Sequence, residues 1–143
     1  MRRILTYVVA CAVLGSVAVS ADKAKTAEDL QKAMKKLGPA QQATNKAIQA
    51  MAYADAKKQV ALMKSEVSDA ANFWVIKKKD DAVKFTQDTT AKLDALDKAL
   101  DGKDQAAITS AYRDAGAACS SCHRVYRSTD ENNQFIIKPG TVS

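Results

Sequence analysis

From residue 26 onward, apolar side chains recur at alternating spacings of three and four positions, in four stretches separated by short polar connections. That spacing returns a side chain to one face of an α-helix, so each stretch predicts an amphipathic helix. The first opens at Thr26, whose hydroxyl can cap, with Asp29 three residues on as in a capping box. Its seam is Leu30, Met34 and Leu37, then the weaker Gln41, Thr44, Ile48 and Met51. Between them lies Gly38-Pro39. Pro39 lacks an amide donor and collides with the carbonyl four residues back, so a kink or break is expected there. The second stretch runs roughly from Asp55 to Val75, with Val60, Met63, Val67, Ala71 and Trp74 on one face. The third starts near Asp80, carries Ala82, Phe85, Thr89, Leu93, Leu96 and Leu100, and should stop at Asp101-Gly102. The fourth starts near Asp104 and carries Ile108, Tyr112, Ala115, Cys119, Cys122 and Tyr126.

The connections are short, which makes successive helices antiparallel neighbours. The expected fold is all-α: an antiparallel up-down-up-down four-helix bundle. A chain of 143 residues suffices for one such domain, placed here over residues 22–127. Residues 128–143 read as an irregular C-terminal tail, with Phe135, Ile136 and Ile137 available to dock it.

The start of the chain follows a different pattern. Arg2 and Arg3 precede an almost wholly apolar run from Ile4 to Val19, and Val19-Ser20-Ala21 offers the small residues of a cleavage site. This reads as a cleavable signal peptide over residues 1–21, hence an exported, periplasmic protein with no stable membrane span after cleavage. The run is shorter than the roughly 20 residues of a membrane helix. Cys11 leaves with it.

Cleavage also changes the charge. Of 22 basic residues two are Arg2 and Arg3, and 16 are acidic, so residues 22–143 carry a formal +4. Both signs are interleaved, except at Lys77-Lys78-Lys79. With no aromatic residues among those lysines, nucleic-acid binding is not expected.

The chemistry is concentrated in Cys119-Ser120-Ser121-Cys122-His123, the spacing of covalent c-type haem attachment. Two thiols must reach the two vinyl groups of one porphyrin, and the adjoining imidazole must reach its iron. Cysteines three apart on a helix share a face, one turn apart. A dithiol redox site would want a preceding strand, and a zinc site would want a fourth ligand. Residues 22–143 contain two Cys and one His. One covalently attached haem c is therefore expected near the C-terminal end of the last helix, with Cys119 and Cys122 holding it and His123 as proximal axial ligand.

These residues give the chain a resemblance to the class II c-type cytochromes, the cytochrome c′ family. The similar stretch is Cys119-Ser120-Ser121-Cys122-His123-Arg124-Val125-Tyr126-Arg127, including the Tyr-Arg that often follows the histidine in that family. Phe73-Trp74 and the Asp80-to-Leu100 helix also look like the family's third-helix region, and the similarity spans most of residues 24–127. The Gly38-Pro39 interruption and the 16-residue tail depart from the pattern.

Because His123 is the only histidine, the sixth iron position falls to Met, Lys, another weak donor, water or nothing. At 1.5 Å per residue, Met34 lies roughly 12 Å above the start of its helix and His123 roughly 6 Å from the end of the antiparallel fourth helix. Met51 lies roughly 37 Å up, at the wrong end, and Met63 is only partway back down. Met34 is thus the candidate distal ligand, against the bland reading of a seam methionine as core filler. The resemblance implies the same position: in some members an apolar residue there blocks the iron, and in a low-spin branch a methionine binds it. Arg127, one turn after His123, is a candidate propionate or proximal contact. Tyr126, Phe85 and Trp74 read as core, with one of them available to pack against the porphyrin; Lys35 and Lys36 read as solvated or as propionate partners.

The combined expectation is a periplasmic monohaem cytochrome serving electron transport between redox partner proteins, not an enzyme. The alternative is a five-coordinate haem protein that binds NO or CO. Related bundles often form homodimers, an assembly the resemblance leaves open here.

Overall fold

The computed structural model describes residues 24–142. The expected signal segment and its cleavage site lie outside them. Four helices occupy the chain in order: α1 Ala27–Gln49, α2 Tyr53–Ile76, α3 Asp80–Gly102 and α4 Gln105–Tyr126. Each packs along its sequence neighbours, and α1 and α4 touch at few points, giving the antiparallel four-helix bundle. No helix among the described residues is long and apolar enough to cross a membrane.

The helix starts follow local chemistry. Thr26 accepts from the Asp29 amide at 3.1 Å and the Asp29 carboxylate accepts from the Thr26 amide at 3.0 Å, the reciprocal capping box expected. Asp104 caps α4 by accepting from the Ala107 amide at 2.9 Å. At the third helix's end the left-handed residue is Lys103, at φ 56°, and Gly102 is still helical.

Two features correct the expectations. The first is Pro39: of the kink or break expected there the break does not occur, and α1 runs through as one helix. Pro39, Gly38 and Lys35 are all exposed, so the Lys35 carbonyl that loses its amide partner can be hydrated. Leu37 and Ala40 meanwhile hold the helix to the core. The second is the tail, which is not irregular. Strands β1 Arg127–Thr129 and β2 Phe135–Ile137 pair antiparallel, with Ser128 opposite Ile136. Asp130 Oδ1 accepts from the Asn132 and Gln134 amides at 2.9 and 2.8 Å, and Asn133 turns the chain at φ 56°.

The apolar interior forms two clusters. One, toward the α1–α2 and α3–α4 turns, gathers Ile48, Ala56, Val60, Leu96, Leu100 and Ile108. The other, toward the α2–α3 turn and the tail, gathers Ala24, Leu30, Phe73, Trp74, Ala82 and Tyr126.

Candidate functional site

The last two turns of α4 end against the second cluster. Cys119 and Cys122 are half-buried free thiols three residues apart, and His123, four residues after Cys119, shares their side of the helix. The intervening hydroxyls turn back on the helix: Ser120 donates to the Gly116 carbonyl at 3.0 Å and Ser121 to that of Ala117 at 3.1 Å. Neither serine competes for what the cysteines face.

The electrostatics follow from burial. Burial pushes both thiols up, Cys122 to about 11, with smaller contributions from Cys119 and the Asp81 carboxylate. Both thiols are therefore protonated at neutral pH. Burial, and secondarily the Arg127 charge, moves His123 below the ordinary histidine value. Its imidazole is neutral at pH 7, with a ring-nitrogen lone pair to donate.

Met34 is partly buried and packs against the same cluster as Cys122, so the two sequence-derived positions on α1 and α4 flank one apolar region. Arg127 caps α4 and lays its guanidinium over the Phe135 ring, 4.2 Å from the centroid. Lys36 reaches from the exposed surface to an ion pair with the buried Glu66 at 2.9 Å, and Lys35 is also exposed. Tyr126 and Trp74 are core, as expected, and their rings lie 4.6 Å apart between centroids. Phe85 is partly buried beside them.

Two features escaped sequence reasoning. The Tyr126 hydroxyl donates to Asp81, and Gln31 Nε2 donates to the Phe135 carbonyl at 2.8 Å. The first left no signal, because Asp81 reads as an ordinary first-turn acid. The second required the hairpin, whose turn signal was available: Asp130 and Asn132-Asn133 just before the apolar Phe135-Ile136-Ile137.

Among the described residues no group of three or more His, Cys, Asp or Glu side chains is placed to hold a metal ion. Cys119, Cys122 and His123 present two thiols and a neutral imidazole along one helix face, the donor types that covalent porphyrin attachment uses. Trp74 Nε1, buried without a hydrogen-bond partner among the described residues, leaves a donor at the same end of the bundle. An apolar cavity of about 30 Å³ beside Cys119, lined by Leu37, Met63, Val67, Leu93, Tyr112 and Ala115, has room for a water-sized molecule but not a ring.

Fold and site together define an all-α four-helix bundle that ends its last helix on a Cys-x-x-Cys-His segment. No protein-family model, curated protein or solved structure matches the chain.

Proposed function

We propose that this chain is a periplasmic monohaem c-type cytochrome, similar to the low-spin branch of the cytochrome c′ family, that carries single electrons between redox partner proteins. The observation that carries the reading is the half-buried face of α4 on which Cys119, Cys122 and His123 stand, with Met34 across the same apolar cluster.

Cys119 and Cys122 would hold haem c through their sulfurs, and His123 would give its neutral imidazole to the iron. Bound haem supplies an iron that alternates between ferrous and ferric states. Met34 would offer its thioether to the same iron, and a His/Met donor pair would raise the reduction potential. Phe73, Trp74 and Tyr126 keep water from that end of the interior.

The ferrous absorption spectrum tests this. A low-spin spectrum indifferent to carbon monoxide supports the carrier. High-spin iron that takes up carbon monoxide or nitric oxide supports the five-coordinate gas-binding alternative, in which Met34 only fills the core.

A further inference from the structure

Helices α1 and α4 meet midway along the bundle, where Tyr112 donates to the Gln41 carbonyl at 3.1 Å and Gly116 lies against the Gln41 side chain. At the end that holds Cys119, Cys122 and His123, the tail spans them. The Lys138 amide returns to the last carbonyl of α4, that of Tyr126, at 2.8 Å, and Arg127 stacks on Phe135. From there Phe135 reaches α1, its carbonyl accepting from Gln31. Ile137 and Val142 pack on the same cluster as Met34 and Cys122.

A two-stranded hairpin is marginal alone, so this one owes its shape to what it is docked on. Its anchors are on both helices. Gln31 stands three residues before Met34, on the same side of α1, so fixing Gln31 fixes the height and rotation of the turn that presents the methionine. Separating α1 from α4 at this end requires breaking the Gln31 bond or peeling the tail from the cluster.

We propose that the C-terminal hairpin is a strap that holds the Met34 turn of α1 toward the haem face of α4 and so restricts small ligands from the iron. The inference rests on the haem reading above. It makes Gln31 and Phe135 positioning residues that act through Met34 and the α1–α4 spacing.

The test compares native holoprotein with two variants, a deletion of residues 128–143 and Gln31→Glu, which keeps the side chain's size but replaces its amide donor with an acceptor. Stopped-flow uptake of carbon monoxide by the ferrous form is measured, with the methionine-to-ferric-iron charge-transfer band as a second readout and helix content by circular dichroism as a folding check. Native ferrous protein sets the baseline, a slow rate or none detectable, and the deletion should raise uptake at least about tenfold above that baseline or the detection limit, equivalent to about 1.4 kcal/mol of lost restraint. Gln31→Glu should fall between it and native, and should carry the test alone if the deleted chain does not fold. Unchanged uptake rates in folded variants overturn the strap. A native spectrum without the methionine band overturns the His/Met reading instead, and the ratio of rates still judges the strap. Colourless native protein overturns both.

Discussion

The hydroxyl of Tyr126, near the end of α4, donates to both carboxylate oxygens of Asp81, at the start of α3, at 2.6 and 2.7 Å. The contact ties together helix ends 45 residues apart in sequence, beside the cysteine pair. It also orients the ring that packs on Trp74.

That bond sets a pH dependence. The hydrogen bond from Tyr126 holds Asp81 below its ordinary 3.8, so its contribution is present above that value and is lost as pH falls through the lower folded value. Burial, then the bond to Asp81, pushes Tyr126 from 10.0 to about 12, so its contribution is present below about 10 and lost as pH rises through about 12. Melting temperature against pH should therefore fall off in both directions. Tyr126→Phe should flatten both arms and lower the neutral-pH melting temperature by a few degrees, the scale of one lost hydrogen bond. Parallel profiles for the two proteins would refute the assignment.

The cysteines make a prediction about mass. With Cys119→Ser or Cys122→Ser alone, one thioether should remain and the denatured chain should still carry one haem. The double variant should carry none. Mass spectrometry and a haem stain after denaturing electrophoresis check it, and covalent haem persisting in the double variant would rule out the attachment site.

Met34→Ala removes the candidate distal donor. The ferrous spectrum should move from low to high spin, the iron should begin to take up carbon monoxide, and the reduction potential should fall, within the roughly 0.8 V span that axial ligands command. A spectrum and potential unmoved by the substitution would leave Met34 as a core side chain.

Pro39→Ala restores an amide donor in the middle of α1, facing the Lys35 carbonyl. Because the native helix already passes through this position, the change should stabilise the fold by about 1–3 kcal/mol. Chemical denaturation measures it. A loss of stability would mean that the proline serves the local geometry.

The helices were legible because each has a seam that must be buried, and periodicity reports burial directly. Val60, Met63, Val67, Leu93, Leu96, Leu100 and Ile108 all lie where that pattern puts them. Pro39 did not end the helix, because its cost depends on whether the orphaned carbonyl meets water, which exposure decides and sequence does not. The buried Glu66 was missed for a related reason: on its own it reads as a solvated charge, and only the fold brings Lys36 to it. The Cys119, Cys122 and His123 cluster was readable because its chemistry is local to five residues. Met34 needed the antiparallel topology, and the Gln31 contact needed a hairpin whose short strands hide in a tail rich in polar residues.

The interior in two separate clusters divides the labour of assembly. The group around Val60, Leu96 and Ile108 can by itself establish which helix lies beside which. The cluster around Phe73, Trp74 and Tyr126 is a separate packing unit at the other end, so side chains there can repack while the helices keep their register through the first.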